Sequence, residues 1–263
     1  MELDDAYANG AFIDGAENYP PKWQALAETF RKDHPTQRDV PYGDGARQVM
    51  DVFLPEGKAK GLFVFVHGGY WLAFDKSSWS HLAAGMLARG WAVVIPSYDL
   101  CPQVRIADIT RQVASAISKI ASQVDGPIIL AGHSAGGHLV ARMACSGVLP
   151  NAVAKRLQHV MSISPVADLR PLLKTSMNDQ FKLDIAAAEA ESPALCADRH
   201  DVAVTSWVGS DERPAFLDQA RWLAEAWKCG HVVEQGRHHF DVIDALADKD
   251  STMISVLVGE DTK

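Results

Sequence analysis

Residues 127–145, PIILAGHSAGGHLVARMAC, hold the reading on which the fold turns. Pro127 to Ala131 is a short, continuous apolar run, the pattern of a strand buried on both faces. Gly132-His133-Ser134-Ala135-Gly136 follows it directly, and a helical pattern runs on from Gly136 to Cys145. A sharp turn from strand to helix crowds the backbone, so its flanking positions must be glycine. The turn lifts the hydroxyl of its central residue clear of the sheet and aims a helix N-terminus at it. A bare GxSxG pattern is weak evidence. The strand before it and the helix after it make Ser134 a candidate nucleophile.

Working outward, the same alternation recurs. Gly61 to Val66 (GLFVFV) and Trp91 to Pro96 (WAVVIP) are further apolar runs, and Gln48 to Leu54 alternates as an outer strand should. Helical spacing marks Ser78 to Arg89 and Ile106 to Val124. Later strands are expected at Val160 to Ile163, Val202 to Val208 and His231 to Val233, with a helix at Ala215 to Trp227 between the last two. Alternating strand and helix predicts an α/β protein with a doubly wound, mostly parallel sheet in a single domain over 1–263. Leu169 to Leu195 interrupts the alternation and is expected to form a small helical cap over the carboxyl edge of the sheet. Residues 1–35 read as an N-terminal helical arm, with Pro20 and Pro21 opening a helix around Trp23 to Phe30.

Two further segments carry chemistry. His67-Gly68-Gly69-Tyr70-Trp71 ends the strand GLFVFV, about 65 residues ahead of Ser134, room for two βα units. Two glycines leave backbone N–H groups unobstructed, as an oxyanion hole requires. Gly68, Gly69 and Ala135 are the expected donors, with the Tyr70 N–H as a further one. His67 reads as a structural prop for this loop through a ring hydrogen bond. An acid should follow a later strand and a base should come last, in the chain order Ser, Asp or Glu, His. Asp211 is the expected acid, at the end of Val202 to Val208, with Glu212 as its neighbouring alternative. His238 and His239 both stand where the base belongs, and position alone does not separate them. A metal site of His238, His239 and Asp241 is disfavoured, because adjacent histidines in a loop seldom point at one ion. No metal and no cofactor is expected.

The whole chain narrows the classes. Its 263 residues carry a formal charge of -8 with no run of Lys and Arg. Nucleic acid and anionic membranes, which need concentrated positive charge, are disfavoured partners. A small-molecule substrate is expected, and nothing in the sequence speaks against a homodimer. Cys101, Cys145, Cys196 and Cys229 show no CxxC pairing and read as reduced thiols. The opening MELDDAYANG lacks the apolar core of a signal peptide, and no apolar stretch approaches the ~18 residues of a membrane span. A cytoplasmic location is the expectation.

With these residues in hand, the sequence resembles the kynurenine formamidase (arylformamidase) branch of the hormone-sensitive-lipase-like α/β hydrolases. The resemblance lies in HGGYW at 67–71, YDLCP at 98–102, GHSAGGHL at 132–139, SDERPAF at 210–216 and HFDVI at 239–243. It implies the α/β-hydrolase fold and a triad of Ser134, Asp211 and His239, the base being the histidine that precedes Phe240. The substrate it implies is an aryl formamide such as N-formyl-L-kynurenine, cleaved through an acyl-enzyme. Wider esterases of the branch carry YRLAP where this chain has YDLCP, which favours the formamidases. A carboxylesterase on short acyl esters is the alternative, and a non-catalytic binding module on the same fold is the third reading. Tyr70 and Trp71 are expected at the substrate, with Trp71 as a wall that keeps the acyl side narrow.

Overall fold

A computed structural model describes residues 1–260. Eight strands form one sheet: β1 (Thr36–Pro41), β2 (Val49–Phe53), β3 (Leu62–Val66), β4 (Ala92–Pro96), β5 (Ile128–His133), β6 (Leu157–Ile163), β7 (Ala203–Gly209) and β8 (Gly230–Glu234). Their spatial order is β1-β2-β4-β3-β5-β6-β7-β8. The pairs β1–β2 and β2–β4 are antiparallel, and every later pair is parallel. The helices are α1 (Tyr19–Asp33), α2 (Ala84–Ala88), α3 (Ile106–Ala121), α4 (Ala135–Ala144), α5 (Asn151–Ala154), α6 (Asn178–Phe181), α7 (Ile185–Glu191), α8 (Pro214–Trp227) and α9 (Thr252–Val258).

The central strands are buried along their whole length because helices cover both faces. Side chains alternate between the faces. In β3, Leu62, Val64 and Val66 join one core with Ile117 of α3, Leu139 of α4 and Leu223 of α8. Phe63 and Phe65 join the other with Trp23 and Phe30 of α1, Met86 of α2 and Ile254 of α9. The cores meet only through the sheet, so the carboxyl ends of β3, β5, β6 and β7 are held in fixed register beneath the site.

Several expectations are revised. The helix expected over Ser78 to Arg89 is two 3₁₀ turns, Lys76–Ser78 and Ser80–Ala83, before the five residues of α2. Beyond β2 lies an edge strand, β1, in residues whose polar side chains face water. Leu169 to Leu195 forms 3₁₀ turns with the short α6 and α7, anchored by buried Leu172 and Phe181. Residues 1–18 are three 3₁₀ turns rather than a regular helix. Among the described residues no helix is long and apolar enough to cross a membrane.

Candidate active site

Ser134 caps the N-terminus of α4 with φ 56° and ψ −117°, a backbone conformation that most L-residues avoid. The sheet maintains it. The Ser134 N–H donates to Ile163 O at 2.8 Å, and Ser134 O accepts the His138 N–H at 3.1 Å. The turn also needs close approach. A Cβ on Gly136 would overlap Val66 O and lie 2.6 Å from His67 O, so α4 can pass this near β3 only at a glycine.

The loop after β3 is the second part. Gly69 has φ +108°, and Tyr70 and Trp71 both have positive φ, so the chain doubles back on itself. Leu72 N–H and Ala73 N–H both donate to Gly69 O, at 2.9 and 3.0 Å. The N–H groups of Gly68, Gly69 and Ala135 donate to no acceptor among the described residues. His67 holds the loop from beneath. Its Nδ1–H donates to Gly68 O at 2.7 Å, and its ring stacks on Tyr98 at 4.3 Å between centroids. Tyr98 donates to His67 O at 2.8 Å. Burial pushes the His67 imidazole down to about 4, so it serves as a neutral prop.

The carboxylate paired with His239 is that of Glu212, one residue on from the expected Asp211. Glu212 Oε2 accepts from His239 Nδ1 at 2.6 Å. Its Oε1 accepts the Gly209 N–H at 3.0 Å and the Ser164 hydroxyl. The Glu212 side chain is fully buried. Asp211 is exposed, and its carboxylate accepts from Ser210 Oγ at 2.8 Å. The physical reason is the turn after β7: the Asp211 N–H donates to Arg237 O, which sends that side chain outward. The next residue points inward, and its longer arm spans the remaining gap. Ser164, at the end of β6, is a member of the site that the sequence did not reveal.

His239 is buried, with its ring against Phe216 at 4.4 Å and His133 at 4.6 Å. His238 turns the other way. Its Nε2 bonds the Tyr19 hydroxyl at 3.0 Å, while Nδ1 lies 3.3 Å from Asp241. The adjacent rings therefore serve different partners. Among the described residues no three His, Cys, Asp or Glu side chains gather around one point.

Ser134, His239, Gly68 and Gly69 share a cavity of about 600 Å³, ordinary for a small-molecule site. Its walls are aromatic: Trp23, Phe74, Trp79 and Phe240 all line it. Tyr70 lines it too, donating its hydroxyl to Tyr7 O and accepting from Asn9 Nδ2 at 3.1 Å. Trp71 does not take the expected place as a wall. The second positive-φ residue turns it under the loop, where it is fully buried edge-on to His138 and Phe181. The cap-like insertion supplies only Ser176 and Met177, while the N-terminal turns supply Asp4 and Tyr7 to Ala11. That segment is tied down by Leu3 N–H to Lys174 O, Ser176 N–H to Asp4 Oδ1, and Gln219 Nε2 to the Tyr7 hydroxyl.

A parallel sheet with a serine on a strand-to-helix turn, beside a buried acid–histidine pair, is the arrangement of an α/β hydrolase. A family model described as alpha/beta hydrolase fold matches residues 63–235, and the chain belongs to that family. It is similar to kynurenine formamidase from Danio rerio, at 27% identity over 247 residues, covering 88% of this chain and 84% of that one. Kynurenine formamidase from Drosophila melanogaster is 29% identical over 248 residues, 85% and 81% of the two chains. A crystal structure of a provisionally assigned thioesterase from Silicibacter sp. TM1040 is 60% identical. It superposes with a TM-score of 0.97 over 98% of this chain and 99% of its own. The chain is thus an α/β hydrolase whose sequence is similar to those kynurenine formamidases.

Proposed function

We propose that the protein is a serine hydrolase that removes a small acyl group, formyl foremost, from an aryl amine through an acyl-enzyme on Ser134. One observation carries the reading: Ser134, His239 and the unengaged N–H groups of Gly68 and Gly69 meet in one aromatic cavity, with Glu212 bonded to His239 from behind it. His239 takes the Ser134 proton as Oγ attacks the carbonyl carbon. Glu212 fixes the imidazole tautomer and stabilises the imidazolium. The oxyanion is held by Gly68, Gly69 and Ala135, each donor worth about 3 kcal/mol in comparable sites. His239 then protonates the departing aryl amine, and water releases the acyl group as its acid. The preference for formyl is supported by the formamidase relatives. Trp71, buried beneath the loop, gives it no support.

The test is release of formate from N-formyl-L-kynurenine, set beside cleavage of a nitrophenyl acetate and an acetyl thioester. The expected result is formamide turnover that Ser134→Ala lowers by roughly four to six orders of magnitude with the fold unchanged. Robust ester or thioester cleavage with no formamide turnover would move the carboxylesterase or thioesterase reading ahead. Substantial activity in Ser134→Ala would remove the serine mechanism altogether.

A further inference from the structure

We infer that Tyr70 is a positioning residue: its hydroxyl, bonded to the N-terminal turns, holds the loop after β3 in the shape that presents the N–H groups of Gly68 and Gly69 to the reacting carbonyl. This rests on reading the site as a serine hydrolase and adds a residue to its machinery. The loop does not keep this shape unaided. Gly69, Tyr70 and Trp71 take φ of 108°, 52° and 56° in succession. Glycine adopts such a backbone freely, but the two aromatic residues do so at a cost and need restraint from their surroundings. Restraint from beneath comes from the body of the fold. Tyr98 donates to His67 O at 2.8 Å, the Cys101 N–H donates to Trp71 O at 2.8 Å, and the Trp71 side chain is fully buried.

On the opposite side the restraint is the Tyr70 hydroxyl. It donates to Tyr7 O and accepts from Asn9 Nδ2 at 3.1 Å. Burial raises the phenol well above its ordinary value of 10, so it stays protonated and able to donate. Its one proton is committed to Tyr7, which leaves no donor for a substrate. The partners are themselves fixed. The Tyr7 hydroxyl accepts from Gln219 Nε2 at 2.9 Å, and the Tyr7 ring stands edge-on to Phe216 at 5.8 Å. Asp5 O accepts from Arg213, the residue after Glu212, at 3.2 Å. Phe216 in turn lies 4.4 Å from the His239 ring. The N-terminal turns therefore join the loop that presents the N–H groups to the segment that carries Glu212 and packs on His239. Misplacing a reacting group by about 1 Å can cost roughly a hundredfold in rate, so loosening this tie should be felt in turnover.

Tyr70→Phe keeps the ring and removes the hydroxyl. Kinetics are measured on whichever of N-formyl-L-kynurenine, nitrophenyl acetate and the acetyl thioester the parent cleaves. Inhibition by 2,2,2-trifluoroacetophenone is measured beside them. Ser134 Oγ adds to that ketone's carbonyl carbon, its proton passes to His239, and the carbonyl electron pair becomes an oxyanion held by the loop. In Tyr70→Phe the expected kcat falls by about ten- to a hundredfold with KM within about threefold, and Ki for the ketone rises in proportion. Asn9→Ala gives the same pattern at severalfold, adds nothing further in the Tyr70→Phe background, and carries the test alone if Tyr70→Phe does not fold. Three results overturn the inference and leave the serine hydrolase standing: kcat unchanged within about twofold, a rise in KM alone, or a fall in kcat with Ki for the ketone unmoved. A parent that cleaves none of the three compounds, or activity that survives Ser134→Ala, removes the serine-hydrolase reading and the inference with it.

Discussion

Glu212 brings its carboxylate to His239 with no side-chain exposure and three donors around it: His239, the Gly209 N–H and the Ser164 hydroxyl. A buried carboxylate so surrounded holds its partner imidazole in one tautomer. Glu212→Gln keeps the shape and removes the charge, so kcat is expected to fall by about three to four orders of magnitude. Asp211→Asn, on an exposed neighbour, should change kcat by less than about twofold. Steady-state kinetics of the two variants decide which carboxylate serves, and an inactive Asp211→Asn beside an active Glu212→Gln would reverse the assignment. Ser134 was legible because its turn has a backbone requirement that glycines satisfy in the sequence itself. The acid was not, since two consecutive carboxylates differ only in which way a four-residue turn faces. That direction is set by Arg237 O, some 25 residues downstream by numbering. Trp71 misled for a similar reason: three successive positive-φ residues, Gly69 to Trp71, reverse the facing that sequence order suggests.

At the scale of elements, the contact between α4 and β3 is the tightest part of the design. Both approaching groups at Gly136 are backbone carbonyls, Val66 O and His67 O, which cannot swing aside as a side chain would. Gly136→Ala is therefore expected to cost about 2–5 kcal/mol, lowering the melting temperature by roughly 5–15 °C. Thermal unfolding followed by circular dichroism reads this directly, and a melting temperature within two degrees of the parent would contradict it. The strands β3, β4 and β5 were legible because burial on both faces leaves an uninterrupted apolar run. The helices α3 and α8 were legible from their spacing. The edge strand β1 was not: TQRDVP faces water, carries a bulge between Gln37 and Val40, and has Asp39 at positive φ. The N-terminal turns show no periodicity. Their order comes from remote partners, Lys174, Arg213 and Gln219, that no local window contains.

For the whole molecule, buried histidines set the response to acid. Burial lowers His67, His81 and His159 to about 4 and His138 to about 3, and holds His133 well below its ordinary value of 6.5. The unfolded chain accepts these protons near pH 6.5, while the folded chain refuses them until about pH 4. Between those limits the unfolded state binds more protons, so stability is fully present above pH 6.5 and is lost as pH falls toward 4. Each group contributes on the order of 1–3 kcal/mol. The melting temperature should fall steadily between pH 7 and 4.5, and a flat profile there would show that these rings are wetter than the structure has them. The end of β6 adds a different consequence. Ile163 O receives the Ser134 N–H, and the next residue, Ser164, gives its hydroxyl to Glu212. Both ends of the proposed proton path are thus referenced to a single peptide. When that peptide fluctuates, it carries both ends in the same direction, and the motion cancels in their separation. Breathing of the sheet can then be large compared with the tolerance of the chemistry without detuning it.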